Sequence, residues 1–363
     1  MSKILWIAPH LNHYKARILN RLASTKLLKI TVLSGQFNQN YGHQTDTGTE
    51  LYRRIHLDIS KNRFHKKPRT YLTLLGILRQ EKYDTILMPL EMKPFILIIF
   101  LWFFKWRFQY RLVSYNHPLH RLKKITRTEL IFKFLYKFYD RIIFYTEQGM
   151  IESIARRLIP SEKAYFSNNT LDTKSIWEHY KFEVNMSHTK RLLFIGRLTR
   201  GKRLDLLLDY FRELQTRVAG VELVIIGDGP EAPLIRKAAS DDPAISWKGL
   251  ITDEVEIATF MKTIHVVFVP GDSGLSVVHA FAYGKPYITL YSNQKHGPEI
   301  DYLQDDVNGM ILTGDLYLDC NRIANLLNDL PSYKAMCIRS YQKAQELSVE
   351  KWCERMNLAL TFD

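Results

Sequence analysis

Residues 266–290 read Val-Val-Phe-Val-Pro-Gly-Asp-Ser-Gly-Leu-Ser-Val-Val-His-Ala-Phe-Ala-Tyr-Gly-Lys-Pro-Tyr-Ile-Thr-Leu. Val266–Val269 is a short run of β-branched and aromatic residues, the pattern of a strand buried on both faces. Pro270–Gly274 is turn chemistry. A helix begins near Leu275 and runs over Ser276–Tyr283, until Gly284 and Pro286 stop it. Pro286–Leu290 is again a strand. A strand, a helix and a strand joined so tightly make one crossover of a parallel sheet. The N–H groups of Leu275, Ser276 and Val277 then open a helix above the sheet, where the positive end of the helix favours a phosphate.

Working outward, the same alternation fills the chain. Lys3–Ala8, Ile30–Leu33, Thr85–Pro89, Arg111–Ser114 and Arg141–Tyr145 read as buried strands, with amphipathic stretches such as Lys15–Ala23 and Arg69–Gln80 between them. The rhythm pauses over the polar segment Lys181–Lys190. It restarts with a strand at Arg191–Ile195, a helix at Arg203–Arg217 and a strand at Val221–Ile226. At 363 residues the chain exceeds what one core usually serves. The expectation is two α/β domains, 1–180 and 190–345. A last helical piece, 346–363, is long enough to reach back onto the first.

Two further strand-to-helix turns carry chemistry. Gly196-Arg-Leu-Thr-Arg-Gly-Lys202 follows the first strand of the second unit and opens a helix. Arg197 and Lys202 put two cations beside a helix start, an arrangement able to neutralise a departing diphosphate. Basic residues are also common at solvated turns, so this motif alone does not decide. Ile226-Gly-Asp-Gly-Pro-Glu231 ends another strand. Gly227 and Gly229 around Asp228 suit close backbone approach to a ligand, and equally suit a plain turn.

Taken in order, these residues resemble family 4 retaining glycosyltransferases of the bacterial cell-surface glycan type, most strongly over residues 191–312. Gly196, Arg197, Leu198 and Lys202 match the start of that family's second domain, and Gly227-Asp228-Gly229 its acidic glycine turn. Gly274, Ala280, Gly284 and Pro286 match the end of its Glu-Gly-Phe-Gly, Glu-Ala, Gly-x-Pro pattern. Gly297-Pro298-Glu299 and Asn308-Gly309 match its later landmarks. The resemblance implies an α/β chain of GT-B fold, with two Rossmann-like domains facing across a cleft. It also implies a nucleoside diphosphate sugar as donor, no cofactor and no required metal. On that reading Arg197 and Lys202 are catalytic, the nucleobase sits near Gly249–Ile251 against Leu250, and Glu299 belongs to the donor site.

The chain departs from the family at both glutamates of the Glu-x7-Glu pair, which are Gly271 and His279 here. In the family the first contacts the donor sugar and the second the ribose. His279 can still exchange a hydrogen bond with a ribose hydroxyl, or else simply pack on a neighbouring strand. Asp272, one position late, meets sugar hydroxyls or is only solvated.

In the first half, Pro9-His-Leu-Asn-His-Tyr-Lys15 looks like the entry loop of some family members. It offers Asn12 and His13 to phosphate or acceptor, although His13 equally suits the start of a helix. His117, after the strand ending at Ser114, matches a family histidine near the donor sugar and joins Arg197 and Lys202 as a catalytic candidate. Asn169 is a further cleft candidate.

Charge divides unevenly. Residues 1–180 hold 30 basic and 13 acidic side chains, a net of +17, whereas the remainder holds 21 and 24, a net of −3. A basic half faces either nucleic acid or an anionic lipid surface. No nucleic-acid recognition module is visible, so nucleic acid is not expected as a partner. The run Pro94–Phe104 is apolar on nearly all faces but, at eleven residues, too short to span a bilayer. Its Trp102, Phe103, Phe104 and the nearby Trp106 suit a headgroup zone. Residues 121–141 mix Lys123, Lys124, Arg127, Lys133, Lys137 and Arg141 with aromatic rings, as a helix lying on an anionic membrane does. The N-terminus reads as a first strand and not a signal peptide. Cys320, Cys337 and Cys353 show no CxxC spacing and read as reduced thiols, with no zinc site.

These readings describe a cytoplasmic protein, peripheral on the inner face of the cell membrane. It would hand a sugar to a lipid-linked or oligosaccharide acceptor. The rivals are a catalytically silent scaffold of the same fold, which the missing glutamates favour, and a nucleotide-sugar 2-epimerase, which would want more cleft acids.

Overall fold

The computed structural model describes residues 1–8, 11, 13–35, 50–57, 68–89, 95–116, 127–291 and 296–362. They form two compact units, Met1–Asp172 with Val349–Asp363, and Thr173–Ser348.

In the first unit β1 (Ser2–Ala8) is followed by α1 (His13–Ser24), β2 (Leu28–Ser34), β3 (Arg53–His56), α2 (Pro68–Gln80) and β4 (Thr85–Met88). Then come α3 (Phe95–Phe108), β5 (Arg111–Asn116), α4 (Arg127–Leu135), β6 (Arg141–Phe144), α5 (Glu147–Ala155) and β7 (Ala164–Phe166). The strands lie parallel in the order β3-β2-β1-β4-β5-β6-β7, so the order reverses between β1 and β4.

Strand periodicity sorts the core. Leu5 and Ile7 of β1 face one cluster with Leu74 and Leu78 of α2 and Leu97, Ile98 and Leu101 of α3. Ile4 and Trp6 face the opposite cluster, with Ile18, Leu19 and Leu22 of α1 and with Trp352, Met356 and Leu360. The last three belong to α13 (Val349–Leu360), which joins the first unit although it follows the second in sequence. Arg141 fixes its end. The guanidinium donates to the carbonyls of Leu358, Ala359 and Thr361 at 3.0, 3.2 and 2.6 Å and lies over the Phe362 ring. A cation there satisfies helix-end carbonyls that have no partner within the helix.

The second unit runs α6 (Thr173–His179), β8 (Arg191–Ile195), α7 (Leu204–Gln215), β9 (Glu222–Ile226), α8 (Ala232–Asp241), β10 (Ile245–Trp247) and α9 (Glu254–Met261). It continues with β11 (Val266–Phe268), α10 (Leu275–Ala282), β12 (Tyr287–Leu290), β13 (Gly309–Leu312), α11 (Leu316–Asn328) and α12 (Leu330–Glu346). Its parallel order is β10-β9-β8-β11-β12-β13, with the reversal between β8 and β11. Val277, Val278, Ala280, Phe281 and Ala282 of α10 are all fully buried, which explains why this helix carries so few polar residues.

Four strands, β3, β7, β10 and β13, add to those read from sequence, as do the helices α5, α6, α9 and α11. Helix α7 starts one residue later than expected because Arg203 adopts a left-handed conformation, φ 53°. Of the basic aromatic segment 121–141, residues 121–126 lie outside the described residues. The rest is α4 followed by a single 3-10 turn, Tyr136–Phe138, and not one continuous helix. Among the described residues no helix is long and apolar enough to cross a membrane.

The Trp352 side chain is fully buried between α13 and the first sheet. Trp352→Ala is expected to cost about 3–5 kcal/mol, read as a lowered urea midpoint.

Candidate active site

In open parallel sheets, ligands bind outside the carboxyl ends of the strands, where the strand order reverses. In the second unit that point lies between β8 and β11. The loops leaving these two strands are Gly196–Lys202 and Pro270–Gly274, the two motifs singled out in the sequence.

The loops are laced together through their backbones. Gly271 N–H donates to the Lys202 carbonyl at 3.1 Å, and Asp272 N–H to the Gly201 carbonyl at 2.8 Å. The Lys202 ammonium closes the same junction by donating to the main-chain oxygen of Asp272. A third loop joins from β9. Leu198 N–H donates to the Asp228 carbonyl at 2.9 Å, and Glu231 N–H to the Leu198 carbonyl at 2.9 Å. Gly227 has φ +143°, and a Cβ there would overlap the Gly196 carbonyl oxygen. Gly271 is equally confined, since its Cβ would overlap the Gly201 oxygen.

Lys202 therefore sits where three loops meet. Burial pulls its pKa down to about 8; the Asp272 carboxylate opposes that shift and the Arg197 guanidinium adds to it. Arg197 is thus close enough for its charge to act on Lys202. Both side chains retain partial exposure. Two neighbouring cations, one of them poorly hydrated, make a strong demand for an anion.

The start of α10 completes this edge. Gly274 precedes the helix, and Val277 N–H turns back to the Gly274 carbonyl at 2.9 Å, so of the three expected donors this one is engaged. Leu275 and Ser276 occupy helix positions whose N–H groups have no intrahelical acceptor. Below them lies a buried hydroxyl network. The Tyr287 hydroxyl donates to Ser273 Oγ at 2.9 Å and pairs with Ser276 Oγ at 2.8 Å, while Ser273 Oγ lies 3.1 Å from Thr289 Oγ1. The segment 296–299 folds over this edge. Gly297 N–H donates to the Ser273 carbonyl at 2.5 Å, and His296 Nδ1 accepts from Ser273 N–H at 3.1 Å. Glu299 is 4% exposed, and a Cβ at Gly274 would lie 3.4 Å from its carboxylate. A buried carboxylate is thus fixed at the N-terminus of α10, where the helix field favours negative charge.

His279 lies one helical turn farther on. Its Nε2 is 2.9 Å from Glu254 Oε1, and the Tyr283 hydroxyl donates to the same oxygen at 2.5 Å. Glu254 opens α9, just past the turn at Gly249 and Leu250, and Leu250 is 53% exposed. Sequence reading passed over Glu254, which is 25 residues from His279. The one local signal is Asp253, whose side chain caps α9 and places Glu254 in its first turn. Asp228 is exposed and its carboxylate accepts from Gly229 N–H at 2.7 Å. Asp272 stands over Gly201.

The candidates of the first half fare differently. Asn12 and His117 lie outside the described residues, and of His13 only the backbone, as the first residue of α1, is described. Asn169 is buried, and its side-chain oxygen accepts from the Tyr115 hydroxyl at 3.2 Å. Among the described residues no group of three or more His, Cys, Asp or Glu side chains is placed to hold a metal ion.

The sequence of the second unit and the fold of the whole chain have counterparts elsewhere. Residues 189–329 match the family described as Glycosyl transferases group 1. The fold is GT-B. Sucrose-phosphate synthase from Thermosynechococcus elongatus superposes with a TM-score of 0.70 at 15% identity, over 99% of this chain and 98% of that one. HepE from Anabaena, in complex with UDP, gives 0.69 at 14% identity over 98% of both chains. A glycosyltransferase from Rickettsia africae gives 0.68 at 12%, over 98% and 96%. No curated protein has a detectably similar sequence. The group 1 domain and the GT-B fold together support a nucleotide-sugar glycosyltransferase.

Two outcomes follow from the glycosyltransferase domain's geometry. Gly271→Glu, which places a glutamate at the family position, is expected to destabilise the domain by about 1–3 kcal/mol, because the side chain has no room over Gly201. Denaturant unfolding measures it. The protonated form of Lys202 is the anion-binding form, so affinity is lost as pH rises through about 8. Calorimetric titration with UDP, the ligand of the HepE complex, is expected to show about tenfold weaker binding at pH 9 than at pH 7, and Lys202→Arg, always charged, is expected to flatten that profile.

Proposed function

We propose that this chain is a retaining, metal-independent glycosyltransferase. It moves a sugar from a nucleoside diphosphate sugar to a hydroxyl of a lipid-linked or growing cell-surface glycan, at the inner face of the cell membrane. The observation that carries the donor half is the pair Arg197 and Lys202, held by the laced loops at the strand reversal of a group 1 domain. The presence of UDP in the HepE structure supports a nucleoside diphosphate as the ligand of such an edge.

In the reaction the bond between the anomeric carbon and the diphosphate oxygen breaks, and its electron pair leaves with the diphosphate. Arg197 and Lys202 meet the charge that grows there, in a site where one ammonium is already short of water. The acceptor oxygen bonds to the anomeric carbon on the face the diphosphate leaves, and its proton passes to the leaving phosphate oxygen. The uncommitted N–H groups at Leu275 and Ser276 assist the phosphate. Glu299 suits sugar hydroxyls better than phosphate, because a carboxylate accepts from O–H and repels an anion. The exposed Leu250 beside the Gly249 turn offers a face for the nucleobase. The His279–Glu254 pair stands at the ribose.

The membrane half rests on the net +17 of residues 1–180 and on rings that α3 turns outward. Phe103 is 69% exposed and Trp106 is 86% exposed. A silent scaffold subunit is the second reading, favoured by Gly271 and His279 standing where the family carries glutamates.

A thermal-shift comparison of UDP, GDP and ADP and their glucose conjugates separates the two. At about a hundredfold excess over its dissociation constant a bound donor adds about 2.7 kcal/mol, a shift of several degrees. Wild type is expected to shift with one nucleotide class and Arg197→Ala with none. A wild type that no nucleoside diphosphate stabilises refutes the transferase reading.

A further inference from the structure

The first unit has a concave site of its own, at the amino ends of two strands. It opens where the chain enters β6 and β7, between the last turn of α4, the 3-10 turn Tyr136–Phe138 and the loop after α5. Its volume is about 560 Å³. Tyr136, Ile154, Leu158, Ile159 and Pro160 make an apolar floor. Lys133, Lys137, Arg157 and Lys163 make the rim, and among the described residues no acidic side chain lines it. Lys133, Lys137 and Arg157 are exposed, and Lys163 is steadied by donating to the Tyr139 carbonyl at 2.9 Å. Arg157 has φ 54° and follows α5, a position where helices commonly end on glycine. The chain keeps a cation there against its backbone preference.

The pocket does not stand alone. Phe134 of α4 packs edge-on against Phe138 at 5.3 Å, and Phe138 in turn against Trp102 of α3 at 5.4 Å. The rings continue along α3 to Phe103 and Trp106, and Leu130, Ile131 and Phe134 are themselves exposed. One continuous apolar and aromatic surface therefore borders a greasy pocket with a cationic rim. A free phosphate has no use for the floor, and a purely apolar partner has none for the rim. A lipid with an anionic headgroup uses both.

We propose that this site holds one anionic phospholipid of a bilayer, its phosphate among Lys133, Lys137, Arg157 and Lys163 and the upper part of an acyl chain on the floor, while Trp102, Phe103 and Trp106 seat in the headgroup zone. The site lies at the amino ends of the strands, so it anchors the protein and does not present the acceptor to the donor. The inference refines the membrane half of the proposed function and is independent of the donor half: a protein unable to bind nucleotide still docks.

Co-sedimentation with vesicles at about 0.15 M salt tests it. Wild type is expected to bind phosphatidylcholine vesicles carrying about 30% phosphatidylglycerol and to leave pure phosphatidylcholine largely unbound. Lys133→Glu with Arg157→Glu is expected to lose at least about thirtyfold in affinity, two basic contributions of roughly 1 kcal/mol each. The control Arg17→Glu with Lys26→Glu makes the same charge change on α1 and the turn before β2, and loses little. Trp106→Ala, at a largely solvated ring, weakens binding without altering thermal unfolding. Equal losses in the rim and control pairs overturn the site in favour of diffuse charge. So does displacement of the protein by millimolar glycerol phosphate, or equal binding to both vesicle types. Vesicle binding that fails while UDP still stabilises the protein removes this inference and the membrane half of the proposed function, and leaves the donor half standing.

Discussion

The second unit depends on how closely three loops approach one another where β8, β9 and β11 end. Their contacts are main chain to main chain, and a main chain can come that near only where no Cβ intervenes. Gly227 and Gly271 are therefore structural necessities before they are functional ones. The consequence is electrostatic. Loops so close leave the Lys202 side chain only partly exposed and its ammonium poorly hydrated, and it settles on the Asp272 carbonyl beside Arg197. The site's appetite for an anion is thus a product of packing.

Much of this was legible in the sequence because it is local. Val266–Val269, the turn and the helix after it are consecutive, and each residue type states its own conformation. The same holds for β1, β8 and β9. What escaped is short or half-exposed. The burial of β3 runs exposed, intermediate, intermediate, exposed, so Arg53–His56 lacks any apolar alternation. β7 and β10 are three residues each and exist only through their parallel neighbours β6 and β9. The site shows the same division. Arg197 and Lys202 could be named from a motif, but Glu254 reaches His279 only because the fold brings the first turn of α9 within reach of α10. Nothing in either segment announces the other.

The first unit shows how one sheet serves two kinds of surface. Its interior is ordinary, with alternate residues of β1 feeding two clusters and α13 closing one of them. Its amino-terminal edge is not ordinary. Crossover helices need one apolar stripe, whereas α3 carries aromatic rings well beyond the stripe that Leu97, Ile98 and Leu101 bury. A large exposed apolar patch on a soluble chain needs a partner, or it becomes a route to aggregation. The basic side chains around it exclude other basic surfaces and favour an anionic one.

The missing glutamate pair has a physical account that differs at its two positions. At Gly271 the loss is enforced, because the loop that would carry a glutamate is pressed against Gly201 and Lys202. Carboxylates still flank that edge: Asp272 beside Lys202 and the buried Glu299 at the start of α10. At His279 the loss is an exchange. An imidazole takes the helix position, and the carboxylate arrives from α9 as Glu254, shared with the Tyr283 hydroxyl. A glutamate at 279 as well would set two carboxylates side by side on a half-buried surface, which Coulomb repulsion forbids unless one takes up a proton. Glu254 and His279 are therefore best understood as a matched pair, each residue type requiring the other. The chain keeps carboxylates beside the start of α10 while drawing them from different elements, Asp272 from the loop after β11, Glu299 from the segment after β12 and Glu254 from α9.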